Sequence, residues 1–376
     1  MRSQIQLGRI AGIYVGLHYS WFLIAVLITL SLVSHFGSVS PQWSSGAVWS
    51  VAVLTSLLFF ATLLLHELAH SLVAKSRGLR VRSITLFALG GVSEIESEAP
   101  NAGSEFWMAA AGPLTSLAIG LILITLARAT GWAPGTPPIT PLTAVLLWLG
   151  YINIALAAFN MIPGFPLDGG RVFRAVAWAI THNPNRATRI AALVGQAVAL
   201  IFILLGLLRF FVGTNLGGLW LAFIGWFLLD AARGSYVQLE LMEALRGRRV
   251  ADLMDHNCST VDARLSLQEF VDEYLLSGQR CFAVVQDNNI VGLITPHEIR
   301  TVPRELWPQL SVERVMRPLR QLRTVTPDTP ALEAFEIISR DDLNQLPVVS
   351  NGHLEGVFSR GRLLQFLQAH SEAYGH

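Results

Sequence analysis

Hydrophobic positions fall into long unbroken blocks over the first 232 residues of this chain and into short periodic segments after them. Six blocks, at roughly 19–36, 47–75, 106–127, 141–162, 188–208 and 216–232, reach or approach the ~20 residues a helix needs to cross a bilayer. The pattern predicts six transmembrane helices. Ahead of them, residues 1–21 alternate apolar and polar positions, which suggests a β-like or interfacial lead-in and not a cleavable signal peptide. Residues 79–99 alternate too, as a strand pair with Gly90-Gly91 at the turn. Beside a membrane helix such a pair is either a re-entrant hairpin, its edge satisfied by protein or a water-filled cavity, or an ordinary cytoplasmic hairpin. The pattern allows both.

Past residue 249 the chain repeats itself. Val250-Ala-Asp-Leu-Met254 is echoed by Val312-Glu-Arg-Val-Met316, FAVV at 282–285 by LPVV at 346–349, and GLITPHEI at 292–299 by GVFSRGRL at 356–363. Each unit predicts a lead-in, a helix, two short strands and a helix, the mark of a duplicated α/β module.

Charge sharpens the division. Residues 1–232 hold 12 Lys/Arg and 7 Asp/Glu, whereas 233–376 hold 15 and 19. The whole chain is 52% hydrophobic and 14% charged, where a soluble domain averages about 25% charged. We therefore expect a membrane domain at 1–232, a linker at 233–249 and soluble repeats at about 250–303 and 312–370. Loops 37–46 and 131–140 carry no Lys or Arg, while Arg2, Arg9, the cluster from Lys75 to Arg82 and most arginines between 171 and 233 gather on the other side. Arg128 and Arg209 run mildly against this bias. Positive loops stay inside, so the N-terminus and the soluble repeats are expected in the cytoplasm of a prokaryotic-type cell membrane. The weak net charges of the two parts exclude a nucleic-acid binder. Cys258 and Cys281, without CxxC spacing, support neither a disulfide framework nor a thiolate zinc site.

The chemistry begins where an uncharged run ends in His66-Glu67-Leu68-Ala69-His70. On a helix the two histidines lie one turn apart on one face, so both imidazoles can grip one Zn²⁺ while Glu67 serves as general base. Ionisable groups inside a lipid-type helix are expensive and mark function. The bland alternative is a helix end emerging into water, since Lys75 and Arg77 follow. His66 lies nine residues before Lys75, or about 14 Å of helix, which places it in the membrane nearer the cytoplasmic side.

A catalytic zinc needs a third ligand. Besides Glu67, the acids of 1–232 are Glu94, Glu96, Glu98, Glu105, Asp168 and Asp230. Asp168 stands apart, at the end of Asn160-Met-Ile-Pro163-Gly-Phe-Pro166-Leu-Asp168-Gly-Gly170, where prolines and glycines break the helix and can return a carboxylate to the bundle centre. It could equally cap the helix expected at 171–181. Ser71, Asn153 and Asn160 either line a water path or bond between helices. Gly112-Pro113 reads as a packing kink, and His18 as structural.

HELAH with NMIPGFPLDGG closely resembles the site-2 protease family of intramembrane zinc metalloproteases, and the C-terminal duplication resembles a tandem pair of cystathionine-β-synthase (CBS) domains. The resemblance implies a polytopic α-helical membrane protein with a re-entrant β-hairpin and a cytoplasmic α/β CBS pair. It implies zinc on His66, His70 and Asp168, and water activation by Glu67. It further implies that Asn160 binds substrate backbone or the oxyanion, that Pro163 and Pro166 shape the loop, and that a transmembrane substrate protein lies in the bilayer beside the hairpin. The CBS pair would regulate activity or position substrate, and could form a homodimer. A prenyl-protein-type protease fits poorly, because no Glu lies between Glu105 and Glu240 to serve as third ligand. A CBS-regulated transporter or channel with a coincidental HExxH would need two broken segments in inverted halves, and one is present.

CBS sites for adenine nucleotides use a Ser/Thr for phosphate and an Asp three residues on for ribose. Here Thr295 and Ser359 fill the first role, while Glu298 and Arg362 stand at the second. Arg362 is a donor only and cannot replace a carboxylate. The expectation is weak adenine-nucleotide binding at most.

Overall fold

The computed structural model describes residues 5–88, 90–95, 98–136, 138, 140–213, 217–256, 259–274, 282–287, 289–341, 343–350, 353–363 and 365–366. Arg2, Glu96, Cys258 and Cys281 lie outside them. The chain divides into two compact units, Met1–Leu239 and Glu240–His376.

The first unit opens with β1 (Ile5–Ile10) and β2 (Ile13–Leu17), followed by helices α1 (Ser20–Val39) and α2 (Ser45–Ser76). Strands β3 (Val81–Phe87) and β4 (Gly90–Ile95) come next, then α3 (Ala102–Ala129), α4 (Pro141–Asn160), α5 (Asp168–Thr181), α6 (Pro184–Gly213) and α7 (Gly217–Leu245), whose last turns belong to the second unit. Among the described residues five helices, α1 to α4 and α6, are long and apolar enough to cross a membrane. The sixth block falls in α7, where Asp230 and Arg233 interrupt the apolar run. That helix also runs through most of the expected linker, to Leu245.

The alternating segments are strands of one sheet, ordered β1-β2-β3-β4. The N-terminal lead-in is an antiparallel hairpin, and its second strand pairs in parallel with β3 from Tyr14↔Ser83 to Leu17↔Leu86. The β3–β4 register corrects one detail of the sequence reading. Phe87 pairs with Gly90 and Leu86 with Gly91, so both glycines belong to β4 and the turn lies between Phe87 and Gly90. Gly91 has a reason to be in a strand, given with the site below.

Burial in this unit is inverted. Leu23, Leu54, Leu121, Leu204 and Phe211 are exposed, whereas His66, His70, Ser71, Glu105, Ser116 and Asn153 are buried. Large apolar side chains facing outward are what a lipid solvent favours. Inside, Leu32, Phe36, Val48, Val51 and Leu149 join α1, α2 and α4, while Leu17, Phe60, Leu63 and Leu86 seat the sheet on α2. The protein is a multi-pass membrane protein.

The second unit has β5 (Ser259–Asp262), α8 (Leu267–Glu273), β6 (Phe282–Gln286), β7 (Asn289–Ile294) and α9 (Pro296–Ile299) in its first repeat. The second repeat has α10 (Val312–Val315), β8 (Arg317–Pro318), α11 (Ala331–Arg340), β9 (Gln345–Ser350) and β10 (His353–Ser359). The two repeats exchange their lead-ins. Val250, Leu253 and Met254 pack with Ile338, Val348 and Phe358 of the second repeat, and Val312, Val315 and Met316 pack with Phe270, Phe282 and Ile294 of the first. Neither core closes without the other repeat, which is why the duplicated VxxxM segments are needed at both places.

Candidate active site

The two histidines stand one turn apart on α2, as the spacing requires, and both are buried. Asp168 reaches them from a different part of the chain. The turn after α4 breaks at Pro163-Gly164-Phe165-Pro166, with a cis bond before Pro166, and α5 starts at Asp168. A Cβ on Gly169 or Gly170 would overlap the backbone of Met161 or Gly164, so these glycines let α5 begin directly against the loop. The capping alternative for Asp168 does not occur. Leu167 is the N-cap, without a side-chain bond, and the Asp168 carboxylate points at the histidines instead.

Three ligand-type atoms converge. His66 Nε2 and His70 Nε2 are 3.2 Å apart, and each is 3.2 Å from Asp168 Oδ2. The outer nitrogens settle the ring chemistry. His70 Nδ1 is 2.6 Å from the Met108 carbonyl, which can only accept, so Nδ1 carries the hydrogen and Nε2 offers a lone pair. His66 Nδ1 lies 2.9 Å from the Ser116 hydroxyl, a partner that accepts equally well. With both rings hydrogenated at Nδ1, two lone pairs and a carboxylate converge on one point, an arrangement that a cation among them stabilises. At zinc–ligand bonds of about 2.0 Å a tetrahedral site separates its ligand atoms by about 3.3 Å. The donor set and its spacing fit zinc; the Met108 carbonyl fixes the His70 ring in the required tautomer, and Ser116 accommodates the same tautomer at His66.

Two glycines leave room for this arrangement. A Cβ on Gly112 of α3 would collide with His66 Nε2 and His70 Nε2, so the position read as a packing kink is the wall of the site. A Cβ on Gly91 of β4 would collide with the Glu67 side chain, which explains a glycine within the strand. Glu67 itself is half-buried, with Oε2 accepting from the Ser93 hydroxyl at 3.1 Å.

Asp168 is braced from behind by charges the sequence reading counted only as topology signals. Arg171, one turn along α5, donates to Glu105 of α3 at 3.1 and 3.4 Å, and Arg174 meets the same carboxylate at 3.3 Å. Glu105 is 1% exposed. A buried carboxylate two turns before Gly112 on α3 was visible in the sequence, but its partners were not.

The remaining candidates scatter. Asn160 ends α4 and is half-buried, with Pro163 and Pro166 in the loop beyond it. Asn153 bonds to Thr62 of α2 and to the Leu149 carbonyl, so it ties helices together. Ser71 bonds to Ser93. In the second unit, Thr295 bonds to Glu298 through both its hydroxyl and its backbone N–H, and Glu298 also pairs with Arg317 at 3.0 Å. The Ser359 hydroxyl accepts from the Arg362 backbone N–H at 3.2 Å.

Comparison with known proteins agrees in both units. The profile of peptidase family M50 matches residues 54–133 and 135–202, and that of the CBS domain matches 250–305 and 312–369. A Synechocystis sp. protein named, provisionally, zinc metalloprotease sll0528 is 34% identical over 372 residues, which are 98% of this chain and 96% of that one. Rip3 of Mycobacterium tuberculosis, provisionally named a zinc metalloprotease too, is 36% identical over 342 residues, 89% of this chain and 85% of that one. The solved site-2 protease from Methanocaldococcus jannaschii is 28% identical and covers 62% of this chain and 94% of its own, with a TM-score of 0.41.

Proposed function

Because this chain belongs to peptidase family M50 and carries a tandem CBS pair, we propose that His66, His70 and Asp168 hold its zinc and that Glu67 is its general base. The protein is an intramembrane zinc metalloprotease of the site-2 protease type. The single observation that carries the site assignment is the 3.2 Å triangle of Nε2, Nε2 and Oδ2 atoms walled by Gly112.

Zinc, when bound, supplies Lewis acidity that acidifies water and polarises a carbonyl. The chain's own residues do the rest. Glu67 takes a proton from the attacking water and returns it to the leaving amine as the C–N bond breaks. Asn160 binds substrate backbone or the developing oxyanion, and Pro163 and Pro166 hold the loop that starts α5 at Asp168. A helical substrate hides its peptide bonds, so it must unwind first. The outer edge of β4 offers it strand pairing, with β3–β4 as a re-entrant hairpin.

In this reading α7 is a sixth span, residues 1–232 form the protease domain, and the N-terminus and the CBS pair at 250–370 are cytoplasmic. The substrates are membrane-anchored regulatory proteins cut in or near their transmembrane segments. The CBS pair regulates cleavage or positions substrate, and associates as a homodimer. Its adenine-nucleotide binding is weak, since Glu298 is engaged by Thr295 and Arg317, and Arg362 supplies no acceptor.

The test uses full-length protein in liposomes and a fluorophore–quencher reporter whose apolar helix is interrupted by a Gly-Pro pair. Wild type should cut it and hold about one zinc per chain. Glu67→Gln should keep the zinc and lose cleavage by at least about a hundredfold. Asp168→Ala should lose both. Full activity with stoichiometric zinc in Asp168→Ala would remove the ligand assignment.

A further inference from the structure

Glu67 is gripped from outside its own helix. The Ser93 hydroxyl on β4 donates to Glu67 Oε2 at 3.1 Å, and the Ser71 hydroxyl, one turn past Glu67 on α2, donates to Ser93 at 3.1 Å. A helical serine commonly returns its proton to the carbonyl four residues back. Ser71, fully buried, sends it across to the sheet instead. Two residues before Ser93 on the same strand, Gly91 lies flush against the Glu67 side chain with no space for a Cβ. One strand thus meets the carboxylate twice, once by hydrogen bond and once by contact. That strand is also an edge of its sheet.

We propose that Ser93 is a positioning residue for the base. Its hydrogen bond fixes the carboxylate rotamer by engaging Oε2 and leaves Oε1 as the oxygen that takes the proton, and Ser71 holds Ser93 in the donating orientation. Substrate pairing on β4 immobilises the strand and so aligns the base as the peptide docks. The inference rests on the reading of Glu67 as general base. The step served is one proton transfer: a water O–H bond breaks, its proton goes to Glu67 Oε1 and its oxygen bonds to the carbonyl carbon. The same proton then moves to the amine nitrogen as the C–N bond breaks.

Two measurements on full-length protein in phosphatidylcholine–phosphatidylglycerol liposomes test this. With the Gly-Pro-interrupted reporter, Ser93→Ala should lower kcat about tenfold or more, the worth of a hydrogen bond to a charged group, and leave KM within about twofold. Ser93→Thr should restore most of the loss, Ser71→Ala should fall between, and zinc content should be unchanged throughout. The infrared difference between wild type and Glu67→Gln isolates the Glu67 carboxylate band. Ser93→Ala should shift that band and Ser93→Thr should leave it. An unmoved band, wild-type kcat, or a loss confined to KM overturns the proposal. These outcomes are separable from failure of the base itself, which would appear as cleavage surviving in Glu67→Gln.

Discussion

The two units of this protein place their polar groups in opposite ways. Among the described residues, every buried polar or charged side chain, from Ser40 to Asn153, belongs to the first unit. The CBS pair buries an apolar core of Phe270, Phe282, Phe358 and Ile338, and its charges lie outside. The ion pairs make the contrast concrete. Arg171 and Glu105 are 31% and 1% exposed, whereas Arg249 and Asp328 are 66% and 81% exposed. In water, polar groups go outside because hydration is free there; in lipid, a polar group survives only where protein supplies its partners. A buried charge in the first unit is therefore a statement about the site. An ion pair in the second is mostly a statement about solvent.

That contrast can be broken, and the largest lever is a methyl group. Gly112→Ala puts a Cβ onto both ligand nitrogens, so it should abolish zinc retention and cleavage together. Gly361→Ala, where nothing lies within 4 Å, should change neither. Metal analysis of the two purified variants checks both. Equal zinc in Gly112→Ala and wild type would mean that α3 does not wall the site.

Next in size is the buried triad. Glu105→Leu removes the buried carboxylate shared by Arg171 and Arg174 and should destabilise the first unit by about 3 kcal/mol, Arg174 retaining Glu98 and Thr188. It should also weaken zinc binding, because α5 carries Asp168. Thermal unfolding in detergent and zinc titration read the two effects. The exposed counterpart should be nearly silent: Asp328→Ala removes the partner of Arg249 and should cost at most about 1 kcal/mol. Comparable losses in the two variants would erase the distinction between the units.

The sequence is most legible where its signal is local. HELAH declares its own geometry, because helix periodicity alone brings His66 and His70 together. The membrane helices and the CBS repeats are legible for the same reason, since composition and a repeat period survive in one dimension. Distant approach is a different matter. Ser93, Ser116, the Met108 carbonyl and Glu105 each act on the site through a partner far along the chain, and nothing in their own neighbourhoods announces it. The parallel β2–β3 pairing is equally silent, because its strands are separated by two long helices. Gly91 and Gly112 are both visible in the sequence, but neither the turn expected at Gly91, which lies in β4, nor a kink at Gly112 announces the site side chain that each one touches. A glycine reports that something comes close, and only the fold says what.

The zinc ligands decide the chemistry of this site, and X-ray absorption at the zinc edge of the purified full-length protein measures them directly. The geometry predicts nitrogen and oxygen neighbours only, at about 2.0–2.2 Å, with imidazole scattering from two rings. A sulfur neighbour at about 2.3 Å would place the zinc on cysteine and contradict the assignment to His66, His70 and Asp168.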